Sequence, residues 1–142
     1  MQFKENRGIY LQIAETLMER LLGAAESQSQ EGQEEEKFPS IRDTAEEFGV
    51  NPNTVMRSYA FLQDLDIIFN RRGLGFFVDP GARKKIMDWK KKIFIEEELP
   101  EVFRSMVLLE MSINDFSEQF KHYKTGHSQK KALKKTLTGG SL

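Results

Sequence analysis

Side chains that can read DNA bases are concentrated in one stretch, NPNTVMRSY, at residues 51–59. An Asn amide can bond an adenine edge bidentately, Arg can bond guanine, and Thr can touch a thymine methyl or hold a phosphate. A recognition helix enters the major groove by its N-terminal end, so its first two turns must carry such groups. The candidates at these positions are Asn51, Asn53, Thr54 and Arg57. The same stretch also fits a plain helix start, with Asn51 as the cap and Arg57 as a solvated charge.

Basic and helix-capping residues flank this stretch on both sides. Ser40 and Arg42 begin a preceding short helix, where free N–H groups and the positive dipole end attract a phosphate. Arg71 and Arg72 lie in a loop that could enter a minor groove or follow the backbone, with Gly75 permitting a close approach. A basic loop tip can equally serve solubility alone. Three such features along one motif favour a nucleic-acid surface.

Apolar residues at helical spacing predict the elements that would hold these side chains. Residues 9–22 form an amphipathic helix that Gly23 ends. A second helix of barely two turns runs from the N-cap Ser40 to Gly49. A third helix follows within three or four residues, which is the helix-turn-helix arrangement. Its predicted apolar face comprises Val55, Tyr59 and Leu62.

Two short apolar runs, residues 67–69 and 76–78, surround the loop RRGLG and predict a β-hairpin. A helix, a helix-turn-helix and a hairpin in this order make a winged helix. The predicted fold is therefore mainly α with a small β-hairpin, a winged helix-turn-helix domain followed by a short helical domain. The predicted boundaries are 1–79 for DNA binding, 80–124 for dimerisation, and 125–142 for a basic, disordered tail.

Apolar residues from Leu99 to Tyr123 recur at alternating intervals of three and four, a seam that requires a partner helix. Ser112 and Asp115 form a capping-box-like pair, so the seam is expected to break near Met111 into two helices. The predicted dimerisation surface comprises Trp89, Ile93, Leu99, Val102, Met106, Leu109, Ile113, Phe116 and Phe120.

Charge is distributed in blocks, although the formal net charge is only −1. Residues 26–36 hold five Glu and no base, residues 71–92 hold eight bases against two Asp, and residues 121–142 hold six Lys and no acid. The acidic stretch has almost nothing to bury, so a mobile loop is predicted over residues 24–37. Whether this insert is merely tolerated or mimics nucleic acid stays open.

Several functional classes find no support in the sequence. There is no cysteine, no run of 18 apolar residues and no apolar segment of a secretory signal at the N-terminus, which indicates a cytoplasmic protein without a membrane partner. His122 and His127 lack partners to complete a zinc set. The glutamate pairs have no nucleophile or base organised around them. No enzyme, metal site or cofactor is predicted.

The stretches IYLQIAETL and FPSIRDTAEEFGVNPNTVMRSYAFLQDLDIIFNRRGLGFFV, within residues 9–78, resemble the winged-helix domain of GntR-family bacterial transcription regulators. The motif NPNTV…SY and the short C-terminal part resemble the YtrA-like subgroup, whose members dimerise through two or three helices. The resemblance implies DNA-facing roles for Ser40, Arg42, Asn51, Asn53, Thr54, Arg57, Arg72 and Gly75. Pro52 and Met56 stand where many members have Arg, so base readout must depend on Asn53, Thr54 and Arg57.

The predicted function is a homodimeric, sequence-specific regulator, expected to repress from an inverted-repeat operator in double-stranded DNA. A small-molecule effector is left open, because the C-terminal part is too small for a sizeable pocket of its own. The alternative is a winged helix used as a protein-interaction module, with its basic wing against an acidic partner. Such a module usually exposes apolar anchors, whereas the start of the third helix is polar.

Overall fold

The computed structural model describes residues 8–27 and 35–139, and the chain divides into two compact units between Lys92 and Ile93. The first unit contains α1 (Ile9–Ser27), β1 (Lys37–Phe38), α2 (Ile41–Phe48), α3 (Pro52–Asp64), β2 (Ile68–Arg71), β3 (Gly75–Val78) and all of α4 (Ala82–Ile93) except its last residue. The second contains a π-helical segment (Phe94–Glu98), α5 (Leu99–Leu108) and α6 (Ile113–Gly139). The predicted winged helix-turn-helix fold is confirmed.

Local capping signals set the bounds of the helix-turn-helix. The Ser40 side chain accepts the N–H of Asp43 at 3.1 Å and starts α2. Gly49 ends that helix at φ 64°, a left-handed conformation that glycine adopts without a steric penalty. The Asn51 side chain accepts the N–H of Asn53 at 2.8 Å and starts α3. Both predicted caps are confirmed, and three residues separate the two helices.

The core of the first unit lies among its four α-helices and the sheet. The three residues predicted to face inward from α3, Val55, Tyr59 and Leu62, are fully buried, which confirms that face. The remaining core residues are Ile13, Ala14, Leu17, Met18, Phe38, Ala45, Ile67, Ile68, Ala82 and Ile86. Burial of these side chains fixes the rotation of α3 and so determines which of its residues face solvent.

The sheet has three antiparallel strands in the order β1-β3-β2, one more than the predicted hairpin. Lys37 lies opposite Phe77, and Phe38 lies opposite Phe76. A two-residue strand is too short to show an alternating pattern, which is why the sequence did not reveal β1. The Phe38 ring packs edge-on against Tyr59, with centroids 5.1 Å apart, so the added strand closes the core beneath α3.

Helix α4 belongs to the winged-helix unit, which therefore extends past the predicted boundary at residue 79. Ile86 is fully buried in the core, and the Trp89 ring packs edge-on against Phe61 at 5.6 Å. Lys85 Nζ donates to the Asp66 carbonyl at 3.0 Å. Trp89, predicted at the dimer surface, is thus engaged inside the first unit, because the apolar face of α4 covers the end of α3.

Two helices are longer than their sequence patterns indicated. Helix α1 continues through Gly23 to Ser27, so Gly23 does not end it and residues 24–27 are not a loop. Helix α6 continues to Gly139, where a disordered tail over residues 125–142 was expected. Alanine, lysine, leucine and glutamine are strong helix formers, so these polar segments can extend a helix that is already nucleated. The rest of the expected mobile loop, residues 28–34, lies outside the described residues.

A π-helical segment at Phe94–Glu98 precedes α5, and the Leu99 N–H donates to the Phe94 carbonyl five residues back. Pro100 lies in the first turn of α5. Proline has no N–H, and its ring clashes with the carbonyl four residues earlier in a regular α-helix. The wider π turn relieves that clash, so the start of α5 at Pro100 follows from its sequence.

The break between α5 and α6 falls where the capping box predicts it. Ser112 Oγ accepts the Asp115 N–H at 3.1 Å, and Asp115 Oδ2 accepts the Ser112 N–H at 3.0 Å. Glu110 takes a positive φ of 53°, a left-handed conformation that cannot continue the helix into the box. This reciprocal pair confirms the predicted end of the first helix near Met111.

In the part of the chain that the structure describes, no helix combines the length and apolarity that crossing a membrane requires.

Candidate nucleic-acid interface

The solvent face of α3 carries the side chains that could reach DNA. Asn53, Met56, Arg57 and Ala60 are exposed, whereas Thr54 is partly buried. Exposure places Asn53 and Arg57 where the sequence predicts base contacts. Asn51 is also exposed, but its side-chain oxygen is occupied by the cap, so only its amide NH₂ can donate to a phosphate or a base.

Arg57 is held by a contact that the sequence did not reveal. Its guanidinium lies over the Tyr10 ring, 4.2 Å from the centroid, which is the geometry of a cation–π interaction. The next residue, Ser58, is buried and donates its hydroxyl to the Tyr10 carbonyl at 2.6 Å. The N-terminal end of α1 therefore fixes both the backbone and the side chain at this point of the recognition helix.

Tyr59 connects α3 to the start of α2. Its hydroxyl donates to the Pro39 carbonyl at 2.8 Å and lies 2.7 Å from Thr44 Oγ1. Burial raises the pKa of Tyr59, because the charged phenolate would be poorly solvated there, while the Thr44 hydroxyl opposes this with a smaller effect. The Phe76 ring packs edge-on against it, with centroids 5.0 Å apart. One buried side chain thus positions both helices of the motif relative to β3.

The start of α2, where the sequence predicts a phosphate contact, is exposed to solvent. Ser40 is exposed, and although its oxygen caps the helix, its hydroxyl hydrogen can still donate. The Arg42 side chain is 88% exposed and lies 3.7 Å from Glu46 on the next turn. An exposed ion pair of this kind contributes little to stability, so Arg42 can reorient toward a phosphate at small cost.

The wing, which is the hairpin formed by β2, β3 and the turn between them, is more than the basic loop tip that the sequence predicts. Arg71 forms an ion pair with Glu35, and its guanidinium also lies between 5 and 6 Å from the Phe69 and Phe77 ring centroids. Arg72 is exposed in the turn beyond it. The sequence placed both arginines at the tip but could not reveal that Arg71 has a carboxylate partner from the acidic insert.

Glycines shape the turn of the wing. The Leu74 N–H donates to the Arg71 carbonyl at 2.9 Å and closes it. Gly73 and Gly75 take φ values of 82° and 104°, which a residue with a Cβ rarely adopts. Near Gly75, the side chain of Lys37 on β1 adds a cation that the sequence analysis missed. The requirement for glycine at these two positions is therefore conformational, because a Cβ at either position would meet no close contact.

Comparison with known proteins points to regulators of transcription, although no family model matches the chain. The HTH-type transcriptional regulator YhcF of Bacillus subtilis is 32% identical over 125 residues, which cover 88% of this chain and 97% of YhcF. The HTH-type transcriptional repressor YtrA of the same organism is 33% identical over 67 residues, 47% of this chain and 51% of YtrA. A crystal structure of a GntR-family regulator from Bacteroides thetaiotaomicron is 37% identical, with a TM-score of 0.69, and the match covers 84% of this chain and 99% of that one.

Proposed function

This chain belongs to the GntR family of HTH-type transcription regulators, and we propose that it works as a homodimer that represses transcription from an inverted-repeat operator. Its general activity, DNA binding in transcription regulation and not enzymatic catalysis, is that of the family. The observation that carries the proposal is the polar, exposed N-terminal face of α3, held rigidly by Tyr10 and Tyr59. We propose the cytoplasm as the location of this protein, because its proposed partner is a DNA operator.

We assign base contacts to Asn53 and Arg57, because both are exposed on the first two turns of the recognition helix. Phosphate contacts are assigned to Ser40 and Arg42 at the N-terminus of α2, where the helix dipole favours an anion. Thr54 is partly buried, so it is assigned to a phosphate. The remaining assigned contacts are the Asn51 NH₂ group and the wing residues Arg71, Arg72 and Gly75.

The second unit supports the dimer. Val107 and Leu108 are 80% and 82% exposed in the single chain, far more than a stable monomeric surface leaves for neighbouring large apolar side chains. Among the side chains of this unit that the structure describes, the other exposed large apolar residues are Phe94, Ile95, Phe103, Leu109, Ile113, Phe116, Phe120 and Tyr123. Burying such a surface against a second copy would remove it from water and stabilise the pair.

The exposures also refine the predicted dimer seam. Leu109, Ile113, Phe116 and Phe120 are exposed and stay candidates for the interface. Met106 is buried within the single chain, and Leu99, Val102 and Ile93 are partly buried, so their main role is to hold the unit together. The proposed interface instead includes Phe103, Val107 and Leu108, which the seam omitted.

Repression is proposed because YtrA, to which this chain is similar over about half of YtrA's length, is named a repressor. A bound dimer with two recognition helices would read two half-sites about one helical turn apart, so the operator should have matching twofold symmetry. Such a dimer represses by occupying promoter DNA.

Quantitative DNA binding by single variants tests the assignment of residues. Arg57→Ala should weaken binding by about 5- to 150-fold per half-site and relax the preference at one base pair of each half-site, because each protomer loses one good base contact. Arg72→Ala should weaken binding to every duplex sequence equally, and it should reduce the salt dependence by about one phosphate contact per protomer. The matched control is Arg83→Ala, which removes an exposed arginine from α4 and should leave affinity unchanged.

Salt provides an independent check on the same complex. Wild-type affinity should fall steeply as salt rises, because each neutralised phosphate releases counterions. Salt-insensitive binding, or equal loss in the Arg57 and Arg83 variants, would contradict the proposed interface.

A further inference from the structure

We infer that Met56 is a specificity-determining residue that reads the C5-methyl group of a thymine in each half-site. The inference rests on the proposed function, and it concerns a side chain to which the sequence assigned no contact. Met56 lies three residues after Asn53 on α3 and directly before Arg57. Its side chain is 53% exposed, whereas the neighbouring apolar residue Val55 is fully buried.

The position of Met56 on α3 makes it part of the proposed reading surface. Residues three and four apart are neighbours on a helix, so Asn53, Met56 and Ala60 form one exposed row. Arg57 lies beside that row and is held toward α1 by its contact with Tyr10. Ala60 has too small a side chain to cover Met56 from the next turn. A major-groove surface that accommodates Asn53 must therefore also meet Met56.

The chemistry of Met56 selects its partner. A thioether side chain has no strong donor or acceptor, so it cannot recognise the polar edges of guanine, adenine or cytosine. The thymine methyl is the apolar group that the major groove presents, and flexible, polarizable methionine packs against irregular apolar surfaces. Contact between the Met56 side chain and the thymine methyl group removes both apolar surfaces from water, which favours thymine over cytosine or uracil at that site.

Exposure of a methionine does not by itself define a contact. Met87 on α4 is 49% exposed, almost as much as Met56, but it lies on the helix whose opposite face covers the end of α3. The residues three and four positions away from Met87 on α4 are lysines and an arginine, and none of them is an asparagine like Asn53 on α3. Met87 therefore provides a matched control of the same residue type and exposure within the same unit.

The test replaces thymine by deoxyuridine, which removes only the methyl group, one position at a time in both half-sites of the duplex selected by the wild-type dimer. Wild-type affinity should fall about fourfold for each half-site changed at one particular thymine, the expected loss for one buried methyl group. Met56→Ala should bind the thymine duplex more weakly and lose that sensitivity, while Met87→Ala should keep it. Alanine is a strong helix former, so α3 will tolerate the change.

Each of the following results would contradict the role inferred for Met56. Wild-type binding that is unaffected by every deoxyuridine substitution would overturn the inference. So would a Met56→Ala variant that stays as sensitive as wild type, because the methyl contact would then belong to another group, such as Thr54. Wild-type protein that selects no duplex at all would overturn the proposed function as well, which separates the two failures.

Discussion

At the scale of single residues, buried side chains decide where the exposed ones can act. The Tyr59 hydroxyl contacts Pro39 and Thr44 at the start of α2, although the residue itself belongs to α3. The Tyr10 ring similarly lies against Arg57 from α1. Neither tyrosine needs to touch DNA, yet both set the geometry of residues that are proposed to do so. Preorganisation of this kind reduces the entropy lost on binding.

Tyr59→Phe should lower the free energy of unfolding by about 1–2 kcal/mol, because it leaves the buried Thr44 hydroxyl and the Pro39 carbonyl without their partner. The same change should alter the response to high pH. The folded-state pKa of Tyr59 is raised above the ordinary value of 10.0, so its contribution is complete below pH 10 and is lost as pH rises through the folded-state pKa. Denaturant unfolding at pH 7 and above pH 10 measures both effects, and equal alkaline losses in the two proteins would contradict this assignment.

Glu35→Ala should increase affinity for DNA by about two- to fivefold at low salt, because it removes the carboxylate that pairs with Arg71 on the wing. The gain should shrink at high salt, where both the ion pair and the phosphate contact are screened. The control, Glu19→Ala, also removes one negative charge, but Glu19 pairs with Lys90 on α4. If both variants bind DNA equally, the effect is one of net charge and not of competition for Arg71.

At the scale of secondary-structure elements, the wing and α4 are joined by one carboxylate. Asp79 follows β3, and its Oδ2 accepts the Gly81 N–H at 2.7 Å and Lys85 Nζ at 3.0 Å. The Asp79 N–H also donates to the Ile67 carbonyl at 2.8 Å, at the start of β2. These bonds fix the chain as it leaves the hairpin and direct α4 back over the core.

Asp79→Asn should reduce the free energy of unfolding by about 1 kcal/mol at pH 7, since it removes the partly exposed charge pair with Lys85. The Lys85 hydrogen bond lowers the pKa of Asp79 below its ordinary value of 3.8. Its contribution is therefore present above pH 3.8 and is lost as pH falls through the folded-state pKa. Unfolding curves of the two proteins should converge in acid. Asp88→Asn, an exposed change on α4, serves as the control and should have little effect at either pH.

The elements differ in how far their sequence determines them. The starts of α2, α3 and α6 could be predicted, because Ser40, Asn51 and Ser112 cap their helices through bonds to residues two or three positions away. Strand β1 could not, since its two residues pair with β3 and carry no local pattern. The pairing of Glu35 with Arg71 depends on the same tertiary approach. Local signals thus located the candidate site, and tertiary contacts determined how its side chains are held.

At the scale of the whole molecule, the proposed function requires two copies of the chain. Leu108→Lys should raise the dimer dissociation constant by about 100-fold or more, because it places a charge in the proposed apolar interface. Leu108 is 82% exposed in the single chain, so the variant should still fold. Met106→Lys is unsuitable as a test, since Met106 is buried and a lysine there would disrupt the unit itself. Sedimentation equilibrium measures the association, and Met87→Lys on α4 should leave the dimer intact.

Selection of bound duplexes from a random DNA pool, with the composition of the selected complex determined by mass, measures both the sequence specificity and the number of chains bound. The expected result is an enriched inverted repeat whose half-sites are about one helical turn apart, bound by two chains per duplex. A pool without enrichment, or a single asymmetric site bound by one chain, would contradict the proposal that this protein is a dimeric, sequence-specific regulator.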